Sequence, residues 1–159
     1  MVPIEDKNTP SLDEVSELLD KVALIQLHLM EEKINNEIII ESKIHEGSIH
    51  LAKSRYIMGQ TAVSTARLPT ESSPEFSASV HTKASEEKQF NAIESNDADT
   101  INPLRWFGIL VPRNMHKAQE IFQSTITSVV ECANIQFQIS ENIRNMNILE
   151  KFKKNHKSA

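Results

Sequence analysis

Two stretches of the chain repeat apolar residues at helical spacing, and a polar stretch separates them. Val15, Leu18, Val22, Ile25 and Leu29 advance by alternating steps of 3 and 4, the rhythm that keeps one apolar seam turned toward a partner helix. Pro10-Ser11-Leu12-Asp13-Glu14 predicts the start of that helix: the Ser11 hydroxyl accepts from a first-turn amide while Glu14 reaches back to the Ser11 amide, a capping box. Between Ser11 and Glu46 there is neither Gly nor Pro. After Leu29 the rhythm shifts to Met30, Ile34 and Ile38 and crowds into Ile38-Ile39-Ile40, so a single straight seam cannot collect every isoleucine. A second contact surface or a local phase change is implied. Gly47 predicts a kink or short break, and Gly59 a left-handed cap that closes the helix after Met58.

From Gln60 to Ile101 no period is sustained. Pro69-Thr-Glu-Ser-Ser-Pro-Glu and Ser85-Glu-Glu-Lys give this segment the composition of a disordered linker, and it is too long for an ordinary turn. Order is expected to return at Asn102-Pro103-Leu104-Arg105-Trp106-Phe107-Gly108-Ile109-Leu110-Val111-Pro112, an apolar run fenced by prolines. Asn114 is then expected to cap a second long helix reaching about Lys154. Its expected seam is Phe122, Thr125, Val129, Cys132, Gln136, Ile139, Ile143 and Met146. The predicted organisation is a flexible N-terminus over 1–10, a first coiled-coil helix over 11–59, a disordered acidic linker over 60–101, and the Trp-containing motif with the second helix and a basic tail over 102–159.

Charge adds an argument about pairing. Residues 1–59 carry 6 Lys/Arg against 11 Asp/Glu, and residues 102–159 carry 8 against 4, so the two helical segments attract each other. An all-α fold is therefore predicted, two long helices forming an antiparallel coiled-coil hairpin whose apolar seams bury one another. The 159 residues suffice for one modest domain, and the net charge of −5 argues against nonspecific nucleic-acid binding. With Cys132 as the one cysteine, no disulfide can form within the chain, which fits a reducing compartment. No signal-type or membrane-spanning stretch is read, so membrane association is expected to be indirect, through a partner or a surface contact.

Catalytic and metal signatures are missing from the pattern: there is no Walker loop, no Gly-x-Ser-x-Gly and no His-Glu-x-x-His. His45 and His50 fall on different helical faces, and Cys132 reads as a small buried apolar residue. No enzyme activity, cofactor or metal is expected. The two segments that exceed a generic coiled coil are Leu51-Ala-Lys-Ser-Arg-Tyr-Ile-Met-Gly59, ending the first helix, and Asn102 to Pro112, opening the second.

In order and spacing these two segments resemble the paired signatures of the coiled-coil vacuolar-ATPase assembly factors of the endoplasmic reticulum. Asn102 departs from the Asp expected before Pro103, an exchange that keeps the turn. The resemblance implies a non-enzymatic factor on the cytosolic face of the endoplasmic reticulum, bound to a small two-span membrane partner and touching vacuolar-ATPase membrane-sector subunits transiently. It extends the expected location to the intermediate, endosomal and lysosomal compartments. The expected partner-binding residues are Lys53, Arg55, Tyr56, Met58, Pro103, Leu104, Trp106, Phe107, Gly108, Ile109, Leu110 and Pro112. The Trp-Phe-Gly segment admits two readings, a packing anchor under the hairpin or an exposed docking segment. Lys151, Lys153, Lys154 and Lys157 complement a helix C-terminus or touch anionic lipid. A coiled-coil adaptor in vesicle trafficking is the competing function, with prefoldin-like chaperoning behind it.

Overall fold

The computed structural model describes residues 10–85, 89–95 and 99–158; the expected flexible N-terminus lies almost wholly outside them. Helix α1 spans Leu12–Met58 and α2 spans Arg113–Ser158, so the chain is mostly helical, with the two long helices packed on each other. Two compact units share them: residues through Ile34 with those from Ile135 onward, and residues 35–134.

The capping box at the start of α1 forms as its sequence requires. The Ser11 amide donates to Glu14 Oε2 at 2.8 Å and the Glu14 amide to Ser11 Oγ at 3.2 Å, satisfying two first-turn donors that no helical carbonyl can reach. At the other end Gly59, with φ of 89°, closes the helix as a left-handed cap.

In the first unit Val15, Leu19, Val22, Gln26 and Leu29 turn inward, while Leu18 and Ile25 are exposed. The seam thus shares every seventh residue with the one read from hydropathy and differs at the residues between. Across it Asn142 Nδ2 donates to the Val22 carbonyl at 3.0 Å and to Gln26 Oε1 at 2.8 Å. A polar pair therefore occupies positions that periodicity had assigned to Ile25 and Ile143. The same substitution of neighbours recurs on α2, where Ser128, Ile135, Asn142 and Leu149 face inward and Val129, Gln136 and Ile143 do not.

The α1 rhythm does not change phase after Leu29. Lys33, Asn36, Ile40, Lys43 and Gly47 continue the same steps of 4 and 3 as less exposed positions, so Met30, Ile34 and Ile38 lie off the seam. In the second unit Lys43 Nζ donates to the Ser124 carbonyl at 3.2 Å and to Ser128 Oγ at 2.9 Å, and His50 Nδ1 lies 3.0 Å from Asn114 Oδ1. Between these contacts sits Gly47, buried inside an unbroken helix. The expected kink is absent because the glycine serves a close approach: a Cβ there would stand 2.8 Å from Phe122 Cε1. Asn114 likewise is not the cap of α2, which starts one residue earlier with the Met115 amide donating to the Pro112 carbonyl at 2.9 Å.

The segment 60–101, expected as a disordered linker, contains a 3-10 turn at Thr65–Arg67 and a two-stranded antiparallel sheet. Strands β1, Val80–Ala84, and β2, Phe90–Glu94, pair with Val80 opposite Glu94 and Ala84 opposite Phe90. An isolated two-stranded sheet is marginal in water, and here a side chain from α2 supports it. Asn134 accepts from the Phe90 amide at 2.7 Å and donates to the Phe90 carbonyl at 2.9 Å. One amide group thus presents to β2 the donor and acceptor that a neighbouring strand would supply. The chain outside the described residues includes Glu86, Glu87 and Lys88 of the acidic run.

Candidate functional site

The end of the second unit, where α1 stops and α2 begins, gathers all twelve residues singled out from the sequence. Asn102 opens the turn: its Oδ1 accepts from the Leu104 amide at 3.0 Å and from Gln119 Nε2 at 2.9 Å. Pro103, with its fixed φ and missing N–H, then starts a 3-10 helix over Pro103–Phe107. That helix drives Leu104 into a buried cluster with Val63 and Met115, against which Leu51, Met58, Phe107 and Val111 pack. Trp106 meets the ring of Phe76 edge-on, with centroids 5.2 Å apart and planes at 71°, a favourable quadrupole geometry. The first half of the motif is therefore a packing anchor.

Gly108 reverses this. Its φ of 127° is a backbone state that side-chain-bearing residues avoid, and it turns the chain outward immediately after Phe107. Ile109 is 101% exposed and Leu110 91%. On α1 Tyr56 is 92% exposed, and Lys53 and Arg55 are exposed beside it. Ile49, Ala52, Lys53, Tyr56 and Ile57 line a shallow hollow that also touches Asn114 of α2. The two readings of the motif thus apply to different residues: Leu104, Trp106 and Phe107 hold the fold, while Ile109 and Leu110 project from it. Met58 belongs with the inward set, and Pro103 and Pro112 are half-buried where they bend the chain. The residue that hydropathy could not single out is Asn134, whose clamp on Phe90 joins positions 44 apart.

Cations dominate the helix-end and turn segments that meet here. No Asp or Glu occurs between Glu46 and Glu71 or between Asp99 and Glu120, while Lys53, Arg55, Arg67, Arg105, Arg113 and Lys117 lie in those intervals. All six side chains are exposed. These segments contrast with the net charge of −5 for the whole chain, with Glu75 beside Phe76 and Asp99 bonded through its carbonyl to the Ser77 amide as the nearest acids in the adjoining wall.

Beside the anchor lies an open apolar hollow of about 470 Å³, bounded by Leu51, Phe76, Val80, Trp106, Phe122 and Ile126 among others. Residues 76–80 supply one wall of it and the helices most of the rest. Among the described residues no acidic, basic, histidine or cysteine side chain lines it. Among the described residues no group of three His, Cys, Asp or Glu is placed to hold a metal ion, and no helix is long and apolar enough to cross a membrane.

Comparison with known proteins finds no matching family model. It does find the vacuolar ATPase assembly protein VMA22 of Danio rerio, 29% identical over 80% of this chain and 84% of that protein. The VMA22 proteins of Homo sapiens and Mus musculus are each 25% identical, over 76% and 78% of this chain and 83% and 84% of their own lengths. These relatives bear out the resemblance to the vacuolar-ATPase assembly factors read from the sequence.

Proposed function

Starting from its likeness to vacuolar-ATPase assembly proteins, we propose that this chain is a non-enzymatic factor for assembling the membrane sector of the proton-translocating vacuolar ATPase, and thereby supports organelle acidification. It works as an antiparallel helical hairpin on the cytosolic face of the endoplasmic reticulum, held there by a small two-span membrane partner, with later passage through intermediate, endosomal and lysosomal compartments. An unassembled pump subunit is engaged transiently and released when its permanent neighbours arrive.

The observation that carries the reading is the division of the motif at Gly108. Ile109, Leu110 and Tyr56 stand free on an end with six Lys/Arg, a small set of anchors among exposed cations. Few anchors give modest affinity, and modest affinity permits release. Leu104, Trp106, Phe107 and Met58 contribute by fixing the shape from which the anchors project. Lys53 and Arg55 steer an acidic partner surface toward Tyr56.

The test is affinity recovery from detergent-solubilised endoplasmic reticulum membranes, read by mass spectrometry, comparing the native chain with Ile109→Glu/Leu110→Glu. These two side chains are exposed, so the variant keeps its helicity, whereas alanine at Trp106 and Phe107 would remove packing and confuse the outcome. Burying one such aliphatic side chain contributes about 1.5–3 kcal/mol, so losing both weakens binding by about a hundredfold or more. Recovery of a small two-span protein with unassembled pump subunits, lost in the variant, supports the proposal. Recovery of vesicle coat or tether proteins, without pump components and indifferent to the variant, refutes it in favour of a trafficking adaptor.

A further inference from the structure

The excess aliphatic residues of α1 have a place in the fold but no cover. Because the inner seam keeps its phase from Val15 through Leu29 to Gly47, Met30 and Ile34 are not a continuation of it. On a helix of 3.6 residues per turn, Leu24, Leu27 and Ile34 fall within roughly 80° of one another, on the side turned away from the seam. Their exposures are 67%, 64% and 54%, and Met30 borders them at 47%. Asp20, Leu24, Leu27, Glu31 and Ile34 follow steps of 4, 3, 4 and 3, which is the spacing of a second helix-pairing stripe. Isolated surface leucines need no explanation, but a contiguous stripe in heptad register does.

We infer that this outer stripe of α1 receives an amphipathic helix from a partner protein, one whose own aliphatic stripe is flanked by Lys and Arg. Charge selects the occupant. Asp20 and Glu31 lie in the stripe itself and Glu17 beside it, all exposed, so the covering helix must bring cations opposite them. A second copy of this chain does not meet that condition: paired parallel, Asp20 and Glu31 face their own equivalents, and paired antiparallel about the Leu24–Leu27 midpoint, Asp20 faces Glu31. Acid meets acid in both registers. An anionic bilayer surface is repelled by the same carboxylates. The inference presupposes the assembly-factor reading only in expecting a protein partner, and it uses a surface different from the Tyr56, Ile109 and Leu110 end.

Two labelled synthetic helical peptides test it, with identical Leu/Ile stripes and either Lys/Arg or Glu flanks, titrated against the full chain by fluorescence anisotropy. The basic probe is expected to bind at least about tenfold more tightly than the acidic one, with new hydrogen-exchange protection over residues 24–34. Leu27→Glu/Ile34→Glu is expected to lower its affinity by about tenfold or more at unchanged helicity, and Ile109→Glu/Leu110→Glu to leave it unchanged. Asp20→Lys/Glu31→Lys, which keeps the aliphatic stripe, is expected to reverse the preference between the probes, and this arm holds even where the first variant folds poorly. Equal binding of both probes, or binding indifferent to these substitutions, overturns the inference. So does a concentration-dependent dimer in sedimentation that Leu27→Glu/Ile34→Glu abolishes, because the occupant is then a second copy. Failure of the assembly role is read separately, in the recovery of pump subunits by the native chain.

Discussion

Gly47 offers a prediction in which two known effects oppose each other and the structure decides the sign. In the middle of a helix, Gly→Ala stabilises by about 1 kcal/mol because alanine loses less backbone entropy and shields the helix better. At Gly47 the added methyl carbon meets Phe122 Cε1 at 2.8 Å, Cζ at 2.9 Å and Cδ1 at 3.2 Å, so the ring must move away from α1. Overpacking of this kind costs about 1–3 kcal/mol, and Gly47→Ala is therefore expected to destabilise by about 1 kcal/mol net. With Phe122→Ala already in place the obstruction is gone, and the same change is expected to stabilise by about its helix-propensity gain. The coupling between the two positions is then about 2 kcal/mol. Urea unfolding followed by circular dichroism at 222 nm, on all four chains of the cycle, measures it; in thermal melts each kcal/mol moves the midpoint by roughly 2–4 °C for a chain of this size. A gain of the full propensity in the native background would refute the close packing of Phe122 on Gly47 and restore the idea of a tolerated helix break.

Two further outcomes follow from the polar contacts. Asn142→Ala removes donors to the Val22 carbonyl and Gln26 Oε1 and is expected to cost about 1–2 kcal/mol; Gln26→Leu with Asn142→Leu is expected to recover that stability but to split amide resonances of the first unit, as the helices lose the pair that specifies their register. Asn134→Ala unpins Phe90 and is expected to speed hydrogen exchange at the Phe90 amide by about tenfold or more, with far-ultraviolet helicity unchanged.

The ends of α1, with the cap at Ser11 and the turn at Gly59, were legible because each depends on residues a few positions apart. The seam was half legible for the same reason. Periodicity finds the helical face, but choosing between Leu18 and Leu19, or Ile25 and Gln26, depends on the residue opposite, and Asn142 lies 116 positions from Gln26. Hydropathy prefers the isoleucine; the hydrogen bond across the seam prefers the glutamine. Gly47 was misread as a breaker because the ring that explains it belongs to the other helix. The small sheet escaped notice because its five-residue strands sustain no long period, and its clamp is an asparagine on a helix. At the candidate site, the sequence picked out twelve residues that the fold brings to one end, without dividing them into inward and outward sets. That division depends on one backbone angle at Gly108.

The turn at Asn102 uses a single carbonyl oxygen for two donors, the Leu104 amide and the Gln119 side chain. A carboxylate would accept both equally well, so the geometry of the turn is indifferent to whether the residue is charged. The surrounding field is not indifferent. An acid there would sit between Arg105 in the following turn and the cations at the start of α2, in an interval that otherwise has no negative side chain. The neutral amide therefore holds the turn without subtracting from the long-range attraction that governs how fast an acidic partner arrives, leaving association kinetics and local architecture independently adjustable at one position.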